Sequence, residues 1–455
     1  MAGIPVIAIF DIGKTNKKFF LFDEQYKIVL EQAVQFDEVG DEDGDLCEDV
    51  FLLSSWVMET FSAAFEMHEF AIKALNFSTY GASFVHVDFN GKVIAPLYNY
   101  LKPYPDELRH MFYDRFGGET KISLETASPA LGNLNSGMQL LWLKNERPEV
   151  FGKIQYSLHL PQYISFLITG KFYSDITSIG CHTQLWDFKK GNYHQWVMEE
   201  LIAQKLPAIM PSFETTEVVY FENRLQVGTG LHDSSAALIP YLSAFSEPFV
   251  LISTGTWCIS LNPFNDEPLT SEELNKDCLC YLEYKGNPVK AARLFAGYEH
   301  EQQTKIIAAH FNVSDDFFKE MLFDASLLGA IDFSRYVDIP VGINTSFFGS
   351  RVVGDFPSFQ SAYHQLIADI VLQQKASTTL ILGASSVKRI FVDGGFGKNP
   401  VYMNLLAAAF PEMEVYAASV SQATSIGAAL AIHDRWNKTP IPADMIDLKY
   451  YTFRY

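Results

Sequence analysis

The sequence predicts an α/β protein of two domains, each a mixed sheet flanked by helices. Three observations lead there. A chain of 455 residues is too long for one hydrophobic core and suits two domains of a little over 200 residues each. Strand and helix signals alternate through the first half. A short apolar strand followed by a small-residue turn also occurs twice, as Asp11-Ile12-Gly13-Lys14-Thr15-Asn16 and, about 240 residues later, as Ile252-Ser253-Thr254-Gly255-Thr256-Trp257. Glycine lets backbone approach a phosphate, exposed N–H groups and Lys14, Lys17 or Lys18 supply positive charge, and an Asp can hold magnesium. One such hairpin opening each half implies a nucleotide gripped by two related domains.

The elements follow in order. Residues 4–10 (IPVIAIF) read as a buried strand and residues 18–22 (KFFLF) as its return. The acidic stretch 37–49 (DEVGDEDGDLCED) fails as a calcium loop, because Leu46 replaces the required glycine, and reads as a solvated loop. Residues 50–65 form an amphipathic helix, residues 71–77 and 84–88 strands, and Asn90-Gly91 a turn. Residues 138–146 form a helix, and residues 150–169 continue in helical pattern around Pro161 until Gly170 caps them. Later, a strand at 390–393 precedes Gly394-Gly395, a helix at 401–410 and a strand at 414–417.

Composition narrows the function. With 48% hydrophobic and 19% charged residues the chain is ordered. A net charge of −20, from 34 basic and 54 acidic residues, repels nucleic acid and anionic membrane, so neither is an expected partner. The same field means that a polyanion such as ATP needs local cations or metal. Five cysteines at scattered positions make no disulfide framework, and Cys278 and Cys280 alone make no zinc site. The first apolar run lacks a basic leader, and no stretch approaches the roughly 18 apolar residues of a spanning helix. The expected location is the cytoplasm.

Several segments, in order, resemble the FGGY carbohydrate kinases of the actin/hexokinase-like superfamily. Leu140-Leu141-Trp142-Leu143-Lys144-Asn145-Glu146-Arg147-Pro148-Glu149 is similar to the first family signature and continues into Leu160-Pro161-Gln162-Tyr163-Ile164 and Leu167-Ile168-Thr169-Gly170-Lys171. Gly228-Thr229-Gly230-Leu231-His232-Asp233-Ser234-Ser235 resembles the catalytic-Asp segment, and Phe391-Val392-Asp393-Gly394-Gly395-Phe396-Gly397-Lys398-Asn399-Pro400 the adenosine motif. Residues 359–375 resemble the second signature imperfectly. The resemblance implies two ribonuclease H-like domains, each with a mixed five-stranded sheet: residues 1–243 binding sugar and carrying the catalytic Asp, and residues 244–455 binding ATP. Substrates would be Mg-ATP and a small sugar, with monomer and homodimer both open.

Phosphoryl transfer to a sugar hydroxyl needs magnesium, a phosphate cradle and one carboxylate to orient and deprotonate the hydroxyl. Asp233 is the candidate base, and a second metal-side carboxylate. It opens a helix, whose N-terminus would favour its ionised form, and capping that helix is its plainer role. Asp11 is read as the magnesium-side carboxylate acting through water, or as a turn Asp holding its own loop. Gly13, Lys14, Thr15, Asn16 and Lys18, with Thr254, Gly255 and Thr256 from the second hairpin, are the expected phosphate ligands. Gly394, Gly395 and Asn399 are assigned to adenosine. Ser425-Ile426-Gly427-Ala428-Ala429 opens the last helix with small residues, for packing or for ligand.

Residues 77–88, containing Tyr80-Gly81-Ala82, resemble the sugar-pocket turn of L-rhamnulose kinases, and His232-Asp233 resembles that branch too. Tyr80, Gly81, Ala82, His232 and Asp233 are therefore the expected sugar contacts, with a 6-deoxyketose such as L-rhamnulose or L-fuculose as first choice. His232 is equally a structural histidine. Lys14, Gln139 and Asn99-Tyr100-Leu101-Lys102-Pro103, which lacks an arginine common in relatives, depart from the family pattern. They keep other ketose or polyol kinases, and a non-catalytic regulatory relative, as alternatives.

Overall fold

The computed structural model describes residues 3–328 and 346–452, and the chain divides into two compact units. The first comprises residues 1–244, 280–287 and 421–443, and the second the remainder. Residues 280–287 and 421–443 thus join the unit opposite to the one a linear cut at 243/244 gives them.

In the first unit, strand Ile4–Ile12 is fully buried from Val6 to Phe10, as a strand covered on both faces must be. It pairs antiparallel with Lys17–Asp23 and parallel with Phe70–Thr79. The sheet order is Thr215–Tyr220, Asn223–Gly228, Phe70–Thr79, Ile4–Ile12, Lys17–Asp23, Ile28–Val34, and Leu231–His232 also pairs with Phe70–Thr79. That makes seven strands among the described residues where five were expected; the count includes the outer strand Thr215–Tyr220 and the two-residue Leu231–His232. Helix Val50–Phe65 is capped by Asp49, which accepts from the N–H groups of Phe51 and Leu52, and buries Leu53, Val57 and Phe61 against the sheet core. Each such side chain contributes about 1.5–3 kcal/mol by leaving water.

Two expectations are corrected here. Residues 150–169 are not one helical run: helix Pro148–Lys153 ends, strand Tyr156–His159 pairs with Phe84–Val87, and helix Leu160–Thr169 starts with Pro161 in its first turn. The proline marks a start because its missing N–H is unneeded there. The acidic loop is also not merely solvated. The Lys102 ammonium lies 2.6 Å from Asp41, 3.0 Å from Asp43 and 2.7 Å from Asp45, so a side-chain cation holds the carboxylates together. The three bonds outweigh desolvation and push Lys102 above the ordinary lysine range.

A second sheet also has seven strands among the described residues, ordered Cys278–Leu282, Pro288–Leu294, Cys258–Asn262, Phe249–Thr254, Arg389–Gly394, Glu414–Ser419, Asp447–Tyr451, all but the first lying wholly in the second unit. Phe249–Thr254 turns back on Cys258–Asn262 as Ile4–Ile12 does on Lys17–Asp23, and pairs parallel with Arg389–Gly394. The long helix Phe359–Leu380 is capped by Ser358 and buries Tyr363, Leu366 and Ile370. Among the described residues no helix is long and apolar enough to cross a membrane.

Candidate functional site

In the first unit, three parallel strands end side by side, the position where open α/β sheets bind ligands. Register sets Asp11 beside Ser78 and Ser78 beside Leu231, so Asp11, the turn after Thr79 and His232-Asp233 share one edge. Helix Asp233–Ala244 follows at once, against helix Ala423–Ala431. A Cβ on Gly427 would lie 1.8 Å from the Ala236 carbonyl oxygen, so only glycine permits the crossing. That close approach delivers the Thr424 and Ser425 hydroxyls to Asp11 Oδ2, the latter at 2.6 Å. The small residues thus serve both packing and site.

Burial raises the Asp11 carboxyl pKa; the two hydroxyl donors oppose the shift and neighbouring Asp233 adds to it. Asp233 accepts from the Ser234 N–H at 2.6 Å. Its side chain keeps about a third of its surface exposed (35%), yet the surrounding protein pushes the carboxyl up to about 6. Here desolvation overrides the helix N-terminus, contrary to the expected preference for the ionised form. Two neighbouring hard-oxygen carboxylates, with the Ser425 and Thr424 hydroxyls and, to a lesser extent, Lys18 relieving Asp11, suit a hydrated magnesium ion.

His232 lies 3.5 Å (Nε2) from Asp233 Oδ1, and burial pushes its imidazole down to about 4, so it is neutral at pH 7. The His232 backbone N–H donates to Thr177 Oγ1 at 3.0 Å, and Thr177 Oγ1 donates in turn to buried Asp175, itself pushed up to about 6 by desolvation. A Cβ on Gly81 would stand 2.5 Å from the His232 ring, so Gly81 acts by making room for it. Ala82 holds a left-handed backbone (φ 59°), and its carbonyl accepts from Gln139 Nε2 at 2.6 Å. Gln139, a departure from the family pattern, therefore braces this turn. Tyr80 is buried with its hydroxyl on Glu48, which also pairs with buried Lys17.

The first hairpin is less committed. Gly13 N–H bonds Asn16 O at 2.9 Å, Thr15 and Asn16 are exposed, and Gln35 donates to Asn16 Oδ1 at 2.6 Å. Lys14 pairs with Glu38 at 2.6 Å, its ammonium 5.8 Å from the Tyr80 ring centre. Lys18 donates to Gln422 at 3.1 Å. Gln422 and Thr424 are polar partners that sequence reasoning missed; of the three, only Ser425 stood in the small-residue run it singled out.

In the second unit, Thr254 ties two turns together. Its Oγ1 donates to the Asp393 carbonyl (2.6 Å) and accepts from Phe396 N–H (3.0 Å), while its carbonyl accepts from Gly395 N–H (3.1 Å). Gly394 has φ 93°, and a Cβ there would meet Thr254 O at 2.0 Å. Gly255 and Thr256 are exposed, with Gly255 N–H spent on Trp257 O at 2.8 Å. Asn399 caps helix Pro400–Ala409 through Oδ1 and donates to Tyr363 OH at 2.7 Å. Beside these residues lies a cavity of about 480 Å³, lined by Gly255, His300, Phe318, Gly395, Phe396 and Asn399 among others. Its volume and aromatic walls fit an adenosine. His300, pushed down to about 4 by burial, offers a neutral ring; neither it nor Phe318 stood in any readable motif.

Known proteins match this chain in sequence and in fold. The model of the FGGY family of carbohydrate kinases, N-terminal domain, matches residues 6–239, and the carbohydrate kinase FGGY C-terminal domain matches residues 246–323 and 361–440. The chain is 24% identical over 264 residues to a rhamnulokinase of Halalkalibacterium halodurans, covering 55% of this chain and 54% of that one. It is 22% identical over 271 residues to an L-fuculokinase of Salmonella typhi, covering 55% of each. The chain thus spans about half the length of these curated relatives. A xylulose kinase of Lactococcus lactis is 22% identical across 92% of this chain and 86% of its own. Among solved structures, a carbohydrate kinase from Novosphingobium aromaticivorans has a TM-score of 0.77 at 22% identity, covering 99% of this chain and 95% of that one, a likeness of fold. With two family domains matched in order along most of its length, the chain belongs to the FGGY family of carbohydrate kinases.

Proposed function

We propose that the chain is an ATP-dependent sugar kinase that transfers the γ-phosphoryl group of Mg-ATP to a hydroxyl of a ketose, with Asp233 as general base. The observation that carries this reading is the Asp233 carboxyl, partly exposed, held near a pKa of about 6 and set beside a neutral His232. Such a group is ionised at pH 7 yet basic enough to take a hydroxyl proton as the phosphorus–oxygen bond forms and ADP leaves. His232, with room made by Gly81, offers a neutral hydrogen-bonding edge to the sugar, and the Tyr80–Ala82 turn shapes the pocket wall. Asp11 would hold magnesium through water, and bound magnesium supplies charge neutralisation at the phosphates. Gly13–Asn16 with Lys18, and Thr254–Thr256, take the phosphates. Adenosine takes the cavity beside Gly394, Gly395 and Asn399.

For the substrate, a 6-deoxyketose such as L-rhamnulose or L-fuculose is favoured by the rhamnulokinase and L-fuculokinase relatives and by the Tyr80-Gly81 turn. A xylulose-type ketose is the second reading, favoured by the relative aligned over 92% of the chain. The five cysteines form no disulfide, which suits a reducing cytoplasm. ADP release from Mg-ATP, with and without L-rhamnulose, L-fuculose, D-xylulose, L-ribulose and glycerol, tests the reading. A rate dependent on one ketose supports it; sugar binding without ADP release would make the chain a regulatory relative.

A further inference from the structure

One cluster shares only His232 with the kinase reading. Cys181, His182 and His232 bring three metal-ligating atoms within 4.8 Å of one another. They come from two segments: the turn after helix Ile176–Ile179, and strand Leu231–His232. The His182 and His232 rings stand edge to face, centres 6.0 Å apart. His232 Nδ1 is buried without a hydrogen-bond partner, in a side chain only 6% exposed. An orphaned imidazole nitrogen beside a thiol and a second imidazole is a polar group short of a ligand. Sulfur and nitrogen donors select zinc-class cations over magnesium, which takes oxygen.

We propose that Cys181, His182 and His232 form a binding site for a soft divalent cation of the zinc class, and that filling it closes the carboxylate site next door. Zinc bonds of about 2.0–2.3 Å place tetrahedral donors roughly 3.3–3.8 Å apart, so the cluster contracts by about 1 Å on binding. His182, the partly exposed member at φ 40° with its Nδ1 3.2 Å from the Leu134 carbonyl, is the route of entry. Binding releases the Cys181 thiol proton to solvent. Three protein ligands leave a fourth position for water. Because His232 Nε2 lies 3.5 Å from Asp233, the bound cation recruits the sugar-side imidazole and places positive charge beside the base. The inhibitory half rests on the kinase reading; the binding half does not.

Cobalt(II) titration of the full chain tests binding, since thiolate ligation gives an intense charge-transfer band. One equivalent should produce it, Cys181→Ser should abolish it, and His182→Asn, which tolerates the left-handed backbone, should weaken binding at least tenfold. No band in the wild type, or an unchanged band in Cys181→Ser, would overturn the site. Equimolar Zn2+ should then suppress sugar-dependent ADP release in the wild type, with chelator restoring it, and leave Cys181→Ser active. Equal inhibition of both proteins would overturn the regulatory role. A wild type without sugar-dependent ADP release would sink the kinase reading, while the cobalt spectrum would still decide the metal site.

Discussion

The carboxylate edge of the first unit and the aromatic cavity of the second are built on opposite principles. At the carboxylate edge the motif residues are the titratable groups themselves: Asp11, His232 and Asp233 are shifted in pKa by burial and supported by partners drawn from elsewhere. In the second unit the motif residues carry the scaffold. Gly394 clears a carbonyl, Thr254 ties turn to turn and Asn399 caps a helix, while His300 and Phe318 from outside the motif supply walls of the cavity. A charged site needs particular groups at particular points, whereas an apolar cavity needs shape, which many side chains can provide.

That contrast can be broken by mutation. Asp233→Ala should lower kcat by about 10³-fold with the fold intact by circular dichroism, because base and orientation are lost together. Near-full turnover would remove Asp233 from the chemistry. Gly394→Ala should instead act through structure, losing about 2–4 kcal/mol of stability and weakening ATP binding, because a positive φ and a 2.0 Å clash coincide. A wild-type melting curve for that variant would contradict the scaffold reading.

The pH dependence separates the two regions next. Only ionised Asp233 can accept a proton, so kcat/KM for sugar should fall about tenfold per unit below pH 6. Stability should move the other way. The folded pKa of about 6 lies above the ordinary Asp value, so the folded state takes up the proton first, and this group's stabilising contribution grows as pH drops from about 6 toward 4. An activity profile flat to pH 5 would contradict the shift. Asn399→Ala should cost about 1 kcal/mol, as a lost helix cap, and leave kcat nearly unchanged. The smallest effect belongs to Lys14→Ala. Its ammonium is already shared with Glu38 near the surface, so KM for ATP should rise no more than about threefold.

The sequence exposed the local parts of this molecule well. Residues 50–65 are a helix with the expected bounds, and both strand–turn–strand hairpins fall where buried apolar runs and glycines put them. What stayed hidden was long-range pairing. Nothing near residue 11 announces Thr424 and Ser425 as donors to Asp11, because the contact depends on how closely two glycine- and alanine-rich helices approach. Lys102 holding three carboxylates was equally unreadable, since the acidic run signals solvation until its cation is placed. The upward shift of Asp233 was misjudged for the same reason: burial is a property of the assembled fold, and the helix N-terminus is visible locally.

The most direct test compares ADP release from Mg-ATP by the wild type and by Asp233→Ala, with and without L-rhamnulose or L-fuculose. The account predicts release that requires the ketose and falls about 10³-fold in the variant. Release that ignores the sugar, or that persists undiminished without the Asp233 carboxylate, would contradict it.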